Sequence, residues 1–170
     1  MLQLKCTRKL IQLSGVRPAP FPEEPIKTVL GGWHANIVDF ARPPLLVFLN
    51  DRSLYCLIDV AKLYGEVMDL AMIFRENLLR ALQENQVSEG QMNRVFEDYN
   101  EAIITKTDNR KVLGNLTDII NLIYFNIEDA IEKNERIDLR KLEHELNSMP
   151  QRNINWKFSR DIFKQILGAS

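Results

Sequence analysis

Two apolar runs separated by a short polar turn constrain the fold of this chain more than any other feature. The first run, LLVFL, occupies residues 45–49, and the second reaches about residue 60 after the segment NDRS at 50–53. Asn and Asp favour tight turns, and five apolar residues are few for a buried helix. The pattern predicts a β-hairpin with strands at 45–50 and 54–60, the first covered on both faces or nearly so.

Three further segments show the period-two alternation of a strand. They lie at residues 1–6, 33–39 and 101–107. The segment 16–27 carries four prolines within eight residues. Because proline has no amide proton to donate and a fixed φ, this segment is predicted to be an extended loop.

Helical periodicity dominates the second half of the chain. Apolar residues three and four positions apart predict a helix at about 66–85, and a capping box formed by Ser88 and Gln91 predicts a shorter helix after it. The longest apolar stripe begins at Leu116, with Asn115 as its expected N-cap.

The C-terminal part continues the helical pattern. Asp138 is the expected N-cap of a helix that Pro150 terminates, and residues 156–167 predict a short closing helix. Strands come first and helices later, with one late strand. This order predicts the α+β class, with a mainly antiparallel sheet of about four to five strands and helices packed on one face.

Length and charge restrict the protein further. A chain of 170 residues with 45% apolar residues predicts one folded domain over 1–170. The net charge of -1 makes nucleic acid an unlikely partner. No stretch approaches the ~20 apolar residues of a membrane span, so no membrane association and a cytoplasmic location are expected.

The cysteines and histidines do not have metal-site spacing, and no cofactor motif is present. Cys6 and Cys56 lie in strand-like patterns and are expected to be buried free thiols. His144 is expected on a helix surface. We therefore predict neither a metal ion nor a cofactor.

His34 and Asn36 form the first polar cluster. If Trp33, Ala35 and Ile37 face the helices, strand alternation places His34 and Asn36 on the opposite face, about 7 Å apart. They would then reach a common ligand, with His34 as an acid or base. The alternative is two polar residues on a solvated or loosely covered sheet face.

The second polar cluster lies within residues 105–118. It follows a strand and precedes a helix, where free amides and cationic side chains bind anions. Its candidate ligand-binding residues are Lys106, Thr107, Asn109, Arg110 and Gly114. The alternative is ordinary turn and capping roles, since the glycine spacing of a P-loop is absent.

These residues support two functional hypotheses. The first is a binding or interaction module with an anion-accepting site, for which the expected partner is a protein encoded nearby or an anionic small ligand. The second is an enzyme that acts on an anionic or nucleotide-like substrate, with His34 as the catalytic acid or base and Arg110 holding the anion. The sequence offers no complete set of catalytic residues, which favours the hypothesis of a binding or interaction module.

The stretches GGWHANIV and TKTDNRKVLGNLTD resemble a family of small bacterial proteins known only as a domain of unknown function. The matching positions are Gly31, Trp33, His34, Ala35, Asn36, Thr107 (or Thr105), Asn109, Arg110, Val112, Leu113, Gly114 and Asp118. The likeness covers roughly residues 1–130 and leaves about 131–170 as a C-terminal helical extension. It implies a bacterial or mobile-element origin, a cytoplasmic location and no particular activity, and it suggests that the two polar clusters share one site.

Overall fold

The computed structural model of the protein describes residues 1–40, 42–62 and 68–168. In chain order its main elements are β1 (Leu2–Cys6), α1 (Arg8–Ser14), β2 (Trp33–Val38), β3 (Leu45–Asn50), β4 (Cys56–Val60), α2 (Leu70–Glu84), α3 (Glu89–Asp98), β5 (Ala102–Lys106), α4 (Arg110–Glu132), α5 (Leu139–Asn147), β6 (Pro150–Gln151), β7 (Lys157–Phe158) and α6 (Ser159–Leu167).

Five strands form one sheet in the order β4-β3-β2-β1-β5. The expected hairpin is confirmed, because β3 is antiparallel to both β2 and β4. β1 is parallel to both β2 and β5, and β6 and β7 form a separate antiparallel ribbon. The structure therefore confirms the α+β class, with a sheet that also contains parallel pairs.

One face of the sheet carries a large apolar cluster. Trp33, Ala35 and Ile37 of β2 project into it and meet apolar side chains of α2, α3 and α6. The Trp33 ring packs edge-on against Phe74 of α2, with ring centroids 5.0 Å apart. The alternation expected for β2 is thus confirmed.

The opposite face carries a second apolar cluster, so the expectation that helices pack on one face only is wrong. Val47 and Leu49 of β3 meet the buried stripe of α4 there, which includes Leu116 and Ile123, and α5 adds Leu142. The physical reason lies in β3 itself. All six of its residues are buried, and a strand that is apolar on both faces needs cover on both.

The main helix begins earlier than expected. α4 starts at Arg110 and not after Asn115, because the Asn109 side chain accepts hydrogen bonds from the amides of Lys111 and Val112. Gly114 costs about 1 kcal/mol relative to alanine within a helix. Burial of Val112 on the sheet offsets that cost.

Several smaller expectations can be checked directly. The Ser88–Gln91 capping box and the Asp138 N-cap are present. The start of the predicted 66–85 helix, including Val67, falls outside the described residues. The predicted closing helix at 156–167 is present as α6 but begins at Ser159, and Trp156 lies before it, 68% exposed beside the β6–β7 ribbon.

Side chains of α5 satisfy the outer edge of the sheet. Asn147 accepts from the Cys56 amide and donates to the Cys56 carbonyl, as a neighbouring strand would. Glu143 accepts from the Ile58 amide at 2.7 Å, and Arg140 donates to the Ile58 carbonyl. The edge strand β4 therefore offers few free backbone groups for pairing with another chain.

Within the described parts of the chain, none of the helices combines the length and apolarity needed to cross a membrane.

Candidate functional site

His34 lies on the sheet face opposite Trp33 and is fully buried. The expected alternative of a solvated face is therefore wrong for this residue. In the strand register His34 is beside Lys5 of β1 on one side and Leu49 of β3 on the other. The loop before α4 approaches it, since Asp108 Oδ1 lies 3.5 Å from His34 Nε2. The two polar segments of the sequence meet at this point.

Four ionisable side chains form a connected cluster, which we call the His34 cluster: Lys5, His34, Asp51 and Asp108. His34 Nδ1 lies 2.6 Å from Asp51 Oδ1. Lys5 Nζ donates to Asp51 Oδ2 at 2.8 Å and lies 3.0 Å from Asp108 Oδ2. His34 Nε2 is 3.5 Å from Asp108 Oδ1.

The protonation of Asp51 and Lys5 follows from their surroundings. Burial opposes the charge on Asp51, but hydrogen bonds from His34 and Lys5 outweigh it and lower the pKa of this carboxyl. Burial likewise opposes the Lys5 charge, and the two aspartates outweigh it and raise the pKa of the ammonium. Both groups are charged at neutral pH. Because an ionised carboxylate can only accept hydrogen bonds, His34 Nδ1 carries a proton and donates a hydrogen bond to Asp51.

His34 Nε2 has no hydrogen-bond partner, the one such atom found among buried side chains of residues 1–40, 42–62 and 68–168. Asp108 Oδ1, at 3.5 Å, is too far for a well-formed bond. A buried polar atom without a partner costs about 1–3 kcal/mol. Such an atom in a native fold calls for an explanation, and a bound ligand or water is one.

A cavity of about 500 Å³ opens beside the His34 cluster. Its lining residues are Gln3, Lys5, Phe21, Pro22, Glu23, Glu24, Pro25, Ile26, Gly32, Asp51, Arg52 and Asp108. Gly32 keeps space open at the floor, because a Cβ there would lie 3.0 Å from Asp51 Oδ2 and 3.3 Å from Lys5 Cε. The proline-rich loop supplies the outer wall.

The other residues expected at a site are arranged differently. The Asn36 carboxamide accepts from the Thr7 hydroxyl at 2.7 Å and from the Ile37 amide. Asn109 is occupied as the N-cap of α4.

Of the remaining candidates in the second polar cluster, Thr107 is partly buried in the loop before α4. Lys106, Arg110 and Gly114 are exposed. By strand alternation Lys106 projects to the face opposite Thr105, the residue paired with Lys5. The role of these residues as ligand-binding groups stays a prediction.

Three members of the His34 cluster were missed by sequence reasoning. Lys5 was assigned to the polar side of a strand, and Asp51 and Asp108 were assigned to turns. Strand alternation could have indicated Lys5, since Gln3 and Lys5 alternate with buried leucines. The two aspartates carried no such signal, because turns favour Asp whatever else the residue does.

The Lys5 ammonium lies between Asp51 and Asp108, where a bound cation would otherwise balance the two carboxylates. Over the described residues, no group of three or more His, Cys, Asp or Glu side chains has an arrangement suited to a metal ion.

The stabilising effect of the His34 cluster is expected to depend on pH. The pKa of Asp51 is lowered from 3.8, so its contribution is full above that value and is lost as the pH falls towards the folded-state pKa. The pKa of Lys5 is raised from 10.5, so its contribution is full below that value and is lost as the pH rises through the folded-state pKa. We expect the difference in unfolding free energy between wild type and Asp51→Asn to shrink as the pH falls below about 4, where the unfolded-state carboxyl begins to take up its proton. Urea unfolding at a series of pH values measures it, and a difference that persists to about pH 2 would contradict the expectation.

Comparison with known proteins places the chain in a family. A family model described as a domain of unknown function (DUF6933) matches residues 3–162. This match includes α5 and part of α6, beyond the residues for which a resemblance was expected. No curated protein and no solved structure matches the chain. With nearly its whole length matched, the chain belongs to the DUF6933 family.

Proposed function

We propose that the protein binds a small polar molecule in the cavity beside the His34 cluster and that His34 exchanges a proton with it. The observation that carries the proposal is the unpartnered Nε2 atom of a fully buried histidine whose Nδ1 is already held by a carboxylate. An imidazole oriented in this way by a carboxylate is the usual arrangement of a general acid or base.

Three members of the His34 cluster, Lys5, Asp51 and Asp108, line the cavity, whereas His34 is fully buried and does not line it. A ligand therefore reaches His34 Nε2 when the partly exposed Asp108, 3.5 Å from that atom, moves aside. Asp51 fixes the ring orientation and the tautomer, so that Nε2 is the atom free to gain or lose a proton. Lys5 holds both aspartates and neutralises part of their charge. Perturbed ionisable groups clustered beside a cavity are typical of active sites, although structural ion pairs also perturb pKa values.

The charges of the cavity wall bear on the ligand. Asp51, Asp108 and the exposed Glu23 and Glu24 contribute negative charge, while Lys5 already pairs with two of these carboxylates. The lining residue Arg52 donates to the Val29 carbonyl. This balance favours a neutral or cationic polar ligand over the anion that the basic segment 106–111 suggests.

An anion at the start of α4 has less support, because Asn109 already satisfies the amides of Lys111 and Val112. An anion would have to rely on exposed side chains such as Arg110, which bind weakly when solvated.

Ring-nitrogen NMR of the two histidines tests the proposal directly. The chain contains only His34 and His144, so their imidazole ¹⁵N resonances form two sets that a His144→Gln variant assigns. We expect some members of a library of small polar metabolites, amines and amides foremost, to shift the His34 Nε2 resonance. His144 lies on α5 and is exposed, so it serves as the internal control.

A matched variant separates binding from proton transfer. In His34→Asn the side-chain amide can still donate to Asp51 but cannot act as an acid or base. We expect this variant to fold and to lose turnover of any compound identified. If no compound moves the His34 resonance, the His34 cluster is a structural ion-pair network and the proposal fails.

A further inference from the structure

The outer face of α4 exposes large apolar side chains in the middle and C-terminal half of a long helix. Phe125 is 68% exposed, Ile131 71% and Tyr124 42%. Phe40 packs edge-on against Tyr124 with centroids 4.6 Å apart and is itself 41% exposed. Contiguous exposed apolar side chains on one surface are typical of an interaction site.

The exposed residues of α4 fall on one stripe. At 100° per residue, the exposed positions project to one side of the helix. They are Arg110, Lys111, Gly114, Thr117, Asp118, Asn121, Tyr124, Phe125, Glu128, Ile131 and Glu132. We call this set the α4 outer face. At 1.5 Å per residue, the 23 residues of α4 extend over about 34 Å.

The α4 outer face is partly complementary to itself about its midpoint, Asn121. Two of its five symmetric pairs match in charge or size, and the other three, which do not set like charges opposite each other, are Lys111–Ile131, Gly114–Glu128 and Asp118–Tyr124. Arg110 and Glu132 lie the same number of residues before and after Asn121, and so do Thr117 and Phe125. A basic residue is thus matched by an acidic one, and a small residue by a large aromatic one.

We propose that two copies of this chain associate through their α4 outer faces, with the helices antiparallel and related by a two-fold axis near Asn121. In this arrangement Arg110 of each copy faces Glu132 of the other, and Phe125 packs against Thr117 and Gly114. Antiparallel helices that cross at about 20° remain in contact over several turns.

The choice of a second copy as the occupant follows from symmetry. In a two-fold contact, residue i of one copy meets residue j of the other, and j meets i. The surface must therefore be complementary to the same surface running in the opposite direction. The charges of α4 satisfy this requirement, with Arg110 and Lys111 at one end and Glu128 and Glu132 at the other. An unrelated partner would not need such a pattern within one helix.

Sedimentation equilibrium of the full chain tests the association. We expect wild type to show a concentration-dependent monomer–dimer equilibrium, and Phe125→Glu to weaken it by about thirtyfold or more, as for an interface hot spot. Trp156→Glu is the matched control, because Trp156 is equally exposed, at 68%, and lies outside α4. It should leave the equilibrium unchanged.

A charge exchange tests the orientation. Arg110→Glu and Glu132→Arg should each weaken the dimer, and the double variant should restore it by recreating both ion pairs in reverse. The double variant also suits the dipole of α4, so loss of folding is not expected. The proposal is overturned if wild type is monomeric, if Phe125→Glu leaves a dimer intact, or if the double variant does not recover.

Discussion

Replacing Asp51 with alanine is expected to lower the free energy of unfolding by about 3–5 kcal/mol, the usual cost of removing one partner from a buried ion pair. The change leaves His34 Nδ1 and Lys5 Nζ without the carboxylate that holds both. The Asp51 side chain is only 17% exposed, so water restores little of what is lost. Chemical denaturation of the purified variant measures the effect.

A matched pair on the surface provides the control. Asp39 bonds Lys9 at 2.6 Å, but both side chains are about half exposed. Asp39→Ala should therefore destabilise the protein far less than Asp51→Ala, because solvent and salt screen this exposed pair. If Asp51→Ala and Asp39→Ala lower the free energy of unfolding equally, burial does not strengthen the ion pairs of the His34 cluster, and the expected effect of Asp51→Ala is wrong.

Glu143→Ala is expected to cost about 1–3 kcal/mol, since it leaves the Ile58 amide without its acceptor and removes from Arg80 and Arg140 their buried partner. The Glu143 side chain is 4% exposed and accepts from Arg80, Arg140 and the Ile58 amide. Its loss uncovers the edge strand β4 at the same time. Thermal and urea unfolding both report the change.

The control for Glu143→Ala is Glu84→Ala, because Glu84 is the other carboxylate that pairs with Arg80. Glu84 pairs with Arg80 at 3.0 Å but is half exposed, and Glu84→Ala should cost less than about 1 kcal/mol. If Glu84→Ala and Glu143→Ala have similar effects, the side chain of Glu143 does not hold β4 in the way the contacts indicate.

The pH dependence of Glu143 runs opposite to that of Asp51. Burial raises the pKa of Glu143 above 4.5, and the hydrogen bonds from Arg80 only partly offset it. The folded state therefore binds the proton more tightly than the unfolded state, and the contribution of Glu143 falls as the pH rises from 4.5 through the folded-state pKa. Relative to Glu143→Gln, wild type should lose stability over that interval.

The two proposals concern different surfaces and fail independently. Proton exchange at His34 depends on the cavity lined by Lys5 of β1 and by Gly32, which precedes β2. Association depends on the α4 outer face. They share one structural link, since Asp108 of the His34 cluster lies two residues before Arg110, where α4 begins.

The sequence by itself determined the five strands of the main sheet, most of the helices and the α+β class, because periodicity records which side of an element is buried. It also indicated that β3 is covered on both sides, although the one-sided arrangement of helices was wrong. It did not indicate the short β6–β7 ribbon, part of which lies in the segment predicted as the closing helix. The start of α4 was missed because Asn109 and Asn115 are equally good caps in isolation, and only packing of Val112 on the sheet selects the first.

Only the tertiary structure decided which polar residues cluster with His34. His34 could be identified from the sequence as a candidate, but Lys5, Asp51 and Asp108 come from three distant segments that the sheet order brings together. Local patterns report burial within a few residues, whereas contacts between charges depend on how strands are ordered and where the next helix begins. That order is set by the packing of two apolar layers, which no short stretch of the chain contains.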